Sequence, residues 1–376
     1  MYTNNEFTPA AFNPLNLGNH RLRNRFAVAP MSRVSAGLDG VPTANMQTYY
    51  EAFALGGFSL IITEGIYTDD IAAQAYPQQP GLVTMAQQQG WKQLTARVKQ
   101  HDAVFIAQLM HAGAISQHLA NTWAPSAVQP LGKKMPEYGG GDGPFPLPHA
   151  MTADEIAIVK QGYVQSALRA YTAGFDGVEL HAANGYLLDQ FMTDYINVRT
   201  DLYGGSIPNR FRIIKEIIEA IRAAVPADFI IGLRLSEGKV NNLYYRWQDG
   251  AATAKAILTE VAAVKPDYVH IAAETGNWAA EATYPDGTSY TGLAKQITGV
   301  PVIANGGLHQ PELAKQVLEE GHADLLAIGK AAMANPDWPL RIQHGESTVP
   351  FHPRMIKPSA NIEHTWKMLA EAVAPL

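Results

Sequence analysis

The sequence contains no cysteine, and this absence excludes several kinds of protein at once. Disulfide scaffolds, iron–sulfur clusters, cysteine-ligated zinc and thiolate nucleophiles all require the thiol group. Runs of basic residues are also missing, since the longest is the pair Lys133-Lys134 and the net charge is −6. We therefore expect no nucleic-acid partner.

Long apolar runs are absent as well. No stretch approaches the roughly 18 apolar residues of a membrane span, and the polar segment Met1–Asn16 lacks the basic-then-apolar pattern of a signal peptide. We expect no membrane partner and a cytoplasmic location. The 376 residues are 47% hydrophobic and 16% charged, which is typical of a globular protein, and we expect residues 1–376 to form a single domain.

Eight short apolar runs rich in β-forming residues are spaced along the chain. They are Phe26–Pro30, Ser59–Thr63, Val104–Gln108, Gly177–Leu180, Phe229–Leu235, Tyr268–Ile271, Pro301–Ala304 and Asp324–Ile328. Runs that are apolar throughout favour parallel strands covered on both faces, and helical patterns lie between most of them. The order predicts an α/β fold: a single (β/α)8 TIM barrel with an N-terminal cap segment and a long loop after strand 3.

Polar residues stand where these runs end, and the carboxyl ends of barrel strands all meet at one mouth. In chain order they are Ser32 and Arg33, Glu64 and Gly65, Gln108, Glu179 and His181, Arg234, Glu274, Asn305 to Gly307, and Gly329 and Lys330. Arg234 is the most informative, because it interrupts an apolar strand. A buried guanidinium needs a partner, which is either a bound ligand or a carboxylate such as Glu179 or Glu64.

Two loops at this mouth suit a phosphate group. The segments 305–307 and 329–330 combine glycines, which let backbone N–H groups approach an anion, with the charge of Lys330. A tight turn alone would explain the glycines, but both loops together favour a phosphate-bearing cofactor. The sequence has no Rossmann or P-loop motif, so the barrel itself would bind that cofactor.

Three polar residues follow the fourth apolar run. His181 and Asn184 could both donate hydrogen bonds to one oxygen, and the Tyr186 hydroxyl could donate a proton. The alternative is that His181 is a structural histidine. A metal site is not expected, because no second histidine lies nearby and no zinc motif is present.

Taken together, these segments resemble the Old Yellow Enzyme family of FMN-dependent ene-reductases. The resemblance runs from Phe12 to about Arg341, and its most specific part is His181–Phe191 with the segment that follows it. The matching segments are Phe12–Gly18, Leu22–Arg33, Ile61–Gly65, Gln108–Gly113, Trp123–Ser126, His181–Phe191, Asn197–Ser206, Asn209–Arg210 and Gly329–Pro339.

The resemblance implies FMN at the barrel mouth, reduced by NADH or NADPH and reoxidised by an electron-poor alkene. The residues that would contact the isoalloxazine ring are Pro30, Met31, Ser32, Gly65, Gln108 and Arg234, the last at the N1/O2 edge. Those that would hold the phosphate are Asn305, Gly306, Gly329 and Lys330. His181 and Asn184 would bind the carbonyl oxygen of the alkene, and Tyr186 would protonate its α-carbon.

The sequence departs from the family at Lys330, where arginine is usual, and at Ala114, where arginine or a bulkier residue is common. Two alternative functions stay open. The first is an FMN reductase of nitro compounds, nitrate esters or quinones, which would not need the proton of Tyr186. The second is a non-catalytic flavin-binding or phospho-ligand-binding barrel, which would need neither the proton donor nor the two hydrogen-bond donors. The physiological substrate, the choice of nicotinamide and a homo-oligomeric state stay open.

Overall fold

The computed structural model describes residues 7–373, and eight parallel strands close a barrel at its centre. The strands are β1 Leu15–Leu17, β2 His20–Leu22, β3 Phe26–Val28, β4 Leu60–Ile62, β5 Ile66–Tyr67, β6 Val104–Met110, β7 Trp123–Ala124, β8 His149–Ala150, β9 Gly177–Asn184, β10 Ile230–Lys239, β11 Tyr268–Ile271, β12 Val302–Asn305 and β13 Leu325–Ile328. The barrel order is β3-β4-β6-β9-β10-β11-β12-β13, and β13 pairs with β3 to close it. The predicted (β/α)8 barrel is confirmed.

Helices surround the barrel. They are α1 Ala44–Leu55, α2 Met85–Val98, α3 Ala153–Ala173, α4 Leu187–Met192, α5 Ile207–Ala224, α6 Ala251–Val264, α7 Trp278–Glu281, α8 Tyr290–Thr298, α9 Pro311–Glu319, α10 Lys330–Ala334, α11 Trp338–His344 and α12 Ile362–Val373, with 3-10 turns at Pro9–Phe12, Gly113–Ile115, Pro136–Tyr138 and Pro353–Met355. Within residues 7–373, none of the helices has the length and apolar character needed to cross a bilayer.

Local chemistry explains where the helices begin and end. At the start of α3, the Thr152 hydroxyl accepts from the Glu155 N–H at 3.2 Å, and the Glu155 carboxylate accepts from the Thr152 N–H at 2.7 Å. The helix ends at Gly174, whose φ of 92° lies in the left-handed region. Helix α5 buries a stripe of isoleucines against the barrel, because residues three and four apart share one face.

The barrel interior changes from apolar at the amino ends of the strands to polar at the carboxyl ends. The antiparallel hairpin of β1 and β2 is the predicted N-terminal cap, and its Leu17 and Leu22 pack with the inward-facing side chains of the barrel strands. Those side chains include Leu60, Ile106, Ile303 and Leu325. The amino end of the barrel is therefore closed by packed side chains, and the carboxyl end remains for ligands.

Strand register aligns the polar residues at the carboxyl end. Glu179 on β9 is paired with Gln108 on β6, while His181 on β9 is paired with Arg234 on β10, which is in turn paired with His270 on β11. Residues two apart on a strand point to the same side, so Glu179 and His181 both face the barrel interior. Strand β9 continues to Asn184, beyond its predicted end at Leu180, because its pairing with β10 extends to Lys239.

The long loop after β6 passes over the barrel mouth before α3 begins. It contains the short strands β7 and β8, which pair with each other, and no helix or strand between residues 139 and 148. Phe145 is buried, and Met135 and Tyr138 line a cavity below the loop. This segment, residues 131–148, is called the roof loop below.

Inside the barrel, Gly232 leaves room for the ring of Tyr268. A Cβ at position 232 would lie 2.1 Å from the Tyr268 Cζ. We predict that Gly232→Ala lowers the free energy of unfolding by about 1–3 kcal/mol, because the ring cannot move without losing its own contacts. The matched control is Gly238→Ala on the same strand, where a Cβ would meet nothing closer than 3.4 Å. Thermal unfolding of both variants at one scan rate tests this, and equal midpoints would contradict it.

Candidate active site

Two adjoining cavities open at the carboxyl end of the barrel, with volumes of about 330 and 350 Å³. Both are lined by Pro30, Met31, Arg234, Glu274 and Lys330. The first, called the substrate cavity below, also contains Ser32, Gly65, Gln108, His181, Asn184 and Tyr186. The second, called the glycine cavity, also contains Asn305, Gly306 and Gly329. Every site residue predicted from the sequence therefore lines one cavity or both.

A buried carboxylate organises the floor of the substrate cavity. Glu179 accepts hydrogen bonds from Gln108 Nε2 at 2.7 Å, from the Tyr268 hydroxyl at 3.0 Å and from His270 Nδ1 at 2.9 Å. Although burial raises the pKa of Glu179, the neighbouring His270 and Arg234 and these hydrogen bonds hold it below its ordinary value. Because the side-chain N–H of Gln108 donates to Glu179, the side-chain carbonyl oxygen of Gln108 remains as an acceptor for an N–H of a ligand.

Arg234 is buried without a carboxylate partner in residues 7–373. Its side chain lines both cavities, and its Nε has no hydrogen-bond partner there. The two candidate carboxylates are otherwise engaged, since Glu179 has the three donors above and Glu64 accepts from the Arg33 backbone N–H at 2.8 Å and the Tyr50 hydroxyl at 3.3 Å. The internal ion pair considered from the sequence is not formed, and the guanidinium is available to a ligand.

His181 is neutral near pH 7. Burial, and then the positive charge of Arg234, hold the pKa of His181 well below its usual value. Its Nδ1 is buried without a hydrogen-bond partner in the described chain, and its ring lies 4.9 Å from the ring of Tyr186, centroid to centroid. A neutral imidazole carries one N–H, so His181 supplies one hydrogen-bond donor to the cavity.

The turn that carries Asn184 is held by charged and polar side chains behind it. Asn184 has a φ of 62° and Gly185 a φ of 86°, a conformation that needs support at a non-glycine residue. The Gly185 N–H donates to Asp189 Oδ2 at 2.6 Å, and Gln190 Nε2 donates to the Gly185 carbonyl at 2.7 Å. Lys239 Nζ donates to Asp189 Oδ1 at 2.7 Å from the end of β10.

Gln190 also joins this turn to the end of β6. Its Oε1 accepts from the Ala114 N–H at 3.0 Å, and a Cβ at position 113 would lie 2.3 Å from that oxygen. Gly113 is therefore required by close packing as well as by its φ of 60°. The segments Gln108–Gly113 and His181–Phe191, which carried the resemblance, are structurally one unit.

Tyr186 forms a hydrogen bond with a residue that the sequence did not indicate. Its hydroxyl lies 2.7 Å from the hydroxyl of Tyr76, in the loop after β5. Burial raises the pKa of Tyr186, and the hydrogen bond from Tyr76 acts in the opposite direction. Tyr138 of the roof loop stacks on Tyr76, with ring centroids 4.9 Å apart. Tyr186 is thus protonated at neutral pH, and its neighbour is able to stabilise the phenolate.

The glycine cavity brings backbone close to where an anion would lie. At Gly306, whose φ is 116°, a Cβ would lie 2.7 Å from the Trp278 nitrogen, so no side chain fits there. Gly329 and Lys330 face the same space from the end of β13. This glycine cradle with one lysine suits a phosphate, while the acceptor on Gln108 and the unpaired guanidinium of Arg234 suit the imide and carbonyl edge of a flavin. The residues present fit FMN.

Comparison with known proteins decides the family. Residues 10–348 match the model of the NADH:flavin oxidoreductase / NADH oxidase family. The chain belongs to this family. The resemblance to Old Yellow Enzyme is confirmed, and with it an FMN-dependent oxidoreductase that uses NADH or NADPH.

Individual members of the NADH:flavin oxidoreductase family are similar over most of the chain. Flavin oxidoreductase hxnT of Emericella nidulans is 35% identical, over 89% of this chain and 90% of its own length. A probable flavin mononucleotide-dependent alkene reductase of Leishmania infantum is 33% identical, over 86% of this chain and 87% of its own length.

Two solved structures show the same fold as this chain. Morphinone reductase in complex with tetrahydroNAD superposes with a TM-score of 0.83 at 32% identity, over 95% of this chain and 97% of that one. The old yellow enzyme homologue from Zymomonas mobilis superposes with a TM-score of 0.82 at 27% identity, over 95% of this chain and 99% of that one.

The buried ion pair between Lys239 and Asp189, which supports the turn at Asn184, should contribute to the stability of the protein. The side chains of Lys239 and Asp189 are 0% and 3% exposed, so Lys239→Met leaves a buried carboxylate unpaired. We predict a loss of about 3–5 kcal/mol in the free energy of unfolding, measured by chemical denaturation. Lys160→Met is the control, because its pair with Glu216 is 26% and 31% exposed and should contribute below about 1 kcal/mol. Equal losses in the two variants would contradict the assignment.

Proposed function

We propose that this protein is an ene-reductase, which passes a hydride from NADH or NADPH through FMN to an alkene conjugated with a carbonyl group. The observation that carries the proposal is the position of His181, Asn184 and Tyr186, which line one cavity together with Gln108 and Arg234. Two hydrogen-bond donors, one proton donor and the flavin-compatible groups thus share a single space.

The residues that would hold FMN lie in the walls of both cavities. In the substrate cavity they are Pro30, Met31, Ser32, Gly65, Gln108 and Arg234, and in the glycine cavity they are Asn305, Gly306, Gly329 and Lys330. When bound, FMN would supply the hydride-transfer chemistry between the nicotinamide and the β-carbon of the alkene. The Arg234 charge stabilises negative charge that develops on a ligand beside it.

His181 and Asn184 bind the carbonyl oxygen of the alkene. The neutral imidazole and the amide each have an N–H to donate, and the amide is held in place by its hydrogen bond to Glu274. Negative charge grows on the carbonyl oxygen as the β-carbon receives a hydride, so donors that already bind this oxygen in the substrate also stabilise that state.

Tyr186 donates the proton to the α-carbon. Its raised pKa keeps it protonated at neutral pH, and the hydroxyl of Tyr76 at 2.7 Å stabilises the phenolate that remains after transfer. Reductases of nitro compounds or quinones have no carbon atom to protonate at this step. A tyrosine supported in this way therefore favours an alkene as the oxidant.

The test uses the purified protein without oxygen. We expect it to bind FMN, to lose the absorbance of oxidised flavin on mixing with NADPH or NADH, and to regain it on addition of cyclohex-2-enone. Protein that stays colourless after incubation with FMN would overturn the proposal. Reduced protein that is reoxidised by a nitro compound or a quinone but not by the enone would replace it with the alternative reductase.

Replacing the proposed acid separates proton transfer from flavin reduction. We predict that Tyr186→Phe slows reoxidation by cyclohex-2-enone by about 10²–10⁴-fold, the usual contribution of a general acid, and leaves reduction by the nicotinamide little changed. Stopped-flow absorbance measures both half-reactions. Tyr138→Phe is the control, since it removes a nearby hydroxyl and keeps the ring that stacks on Tyr76. Unimpaired enone turnover in Tyr186→Phe would remove this residue from the role.

The charge at position 330 is expected to bind the FMN phosphate. Lys330→Met should weaken FMN binding by about 10-fold or more, because a charge-assisted hydrogen bond is lost, and Lys330→Arg should not. Fluorescence titration of the apoprotein with FMN gives the dissociation constants. If the Met and Arg variants bind FMN equally well, Lys330 does not contact the phosphate.

A further inference from the structure

Glu274 is a partly buried carboxylate that lines the site and that the proposed mechanism does not use. It lies three residues beyond the end of β11 and lines both the substrate cavity and the glycine cavity. A carboxylate so close to Arg234 and Lys330 would ordinarily form an ion pair, yet it forms none with residues 7–373. The hydrogen bond that Glu274 does make there is with Asn184.

The contact between Glu274 and Asn184 determines how the amide is oriented. Asn184 Nδ2 donates to Glu274 Oε2 at 2.7 Å, and Asn184 Oδ1 is buried without a partner in the described chain. An ionised carboxylate only accepts hydrogen bonds, so the opposite amide orientation would place two oxygens against each other. The Nδ2 group carries two hydrogens. With one on Glu274, the second remains free for the cavity.

We propose that Glu274 is a positioning residue for substrate binding, which holds the Asn184 amide so that its second N–H meets the carbonyl oxygen of the substrate. This inference rests on the proposed function, because it assigns a support to one of the two donors. A glutamine at position 274 would present either an N–H or a C=O to Asn184. The amide would then have two orientations of similar energy, and only one of them binds the carbonyl.

The protonation of Glu274 makes this support dependent on pH. Burial raises the pKa of Glu274 to about 7, against the opposing effect of Arg234. The surrounding titratable or charged groups are Arg234 on β10, Lys330 on α10, Glu281 on α7 and the tyrosines Tyr76, Tyr138 and Tyr186. Burial raises the pKa of each tyrosine further above neutrality, so these three hydroxyls stay protonated.

The direction in which KM changes with pH depends on which protonation state of Glu274 restricts the Asn184 amide to one orientation. The ionised carboxylate, which predominates above about pH 7, allows one orientation of Asn184, and the protonated carboxyl, which predominates below, allows both. The KM for cyclohex-2-enone should therefore rise as the pH falls through 7. A pH profile alone would not identify the group, because burial also raises the pKa of Glu64 to about 7.

The experiment compares Glu274→Gln with wild type over pH 6 to 8.5, using the FMN-loaded enzyme and cyclohex-2-enone. We expect the KM of the variant at pH 8.5 to be raised about 2-fold, because about half of the molecules then hold the Asn184 amide in the orientation that does not bind the carbonyl, with a much smaller change in kcat and a flat dependence of KM on pH. FMN content, read from the flavin absorbance, should equal that of wild type. In an Asn184→Ala background, Glu274→Gln should have no further effect on KM.

Glu281→Gln is the matched control. Glu281 lies on α7, where its Oε1 accepts from the Thr275 N–H at 2.9 Å, and its negative charge raises the pKa of Glu274. Removing that charge should shift the midpoint of the KM profile to lower pH and leave KM at pH 8.5 unchanged. A shift of this kind would identify Glu274, and not Glu64, as the titrating group.

The outcomes separate the two proposals. If wild type does not reduce the enone, the proposed function fails. If wild type reduces it and Glu274→Gln keeps the wild-type KM and pH profile, the assignment of Glu274 alone is overturned. The same holds if Glu274→Gln raises KM equally in the Asn184→Ala background, because Glu274 would then act without Asn184.

Discussion

The arrangement of the site depends on the buried carboxylate of Glu179. It accepts from Gln108 on β6 and from Tyr268 and His270 on β11, and so ties together strands on both sides of β9. With its oxygens occupied by these donors, Glu179 forms no ion pair with Arg234. The same contact turns the carbonyl oxygen of Gln108 toward the cavity. One satisfied buried anion therefore leaves a cation and an acceptor for the ligand.

A second group of buried polar contacts supports the catalytic turn from behind. Asp189, Gln190 and Lys239 support the turn in which Asn184 and Gly185 have left-handed backbone conformations. The barrel strands thus position Gln108, His181 and Arg234, while this network positions Asn184 and Tyr186. The separation is physically reasonable, because strand register places residues in the middle of a strand, whereas Asn184 at the last position of β9 and Tyr186 beyond it need side-chain contacts.

Much of the architecture could be read from the pattern of residues. Eight continuous apolar runs predicted the eight parallel strands of the barrel. The predicted site residues meet because the carboxyl ends of parallel barrel strands share one face, a property of the fold that needs no knowledge of side-chain positions. Strand ends were less predictable. Strand β9 runs on to Asn184 because β10 continues beside it, and pairing between strands is not visible in either segment alone.

The sequence by itself determined the barrel, the family and the set of polar residues at its mouth, because apolar runs and motifs are local properties of the chain. The tertiary structure decided which of these residues touch. Tyr76 and Tyr186 are 110 positions apart, and Asn184 and Glu274 are 90 apart. Each pair is joined only when the barrel closes and the loops between its strands pack at the mouth. Contacts between loops depend on that closure, and no periodicity within a segment records it.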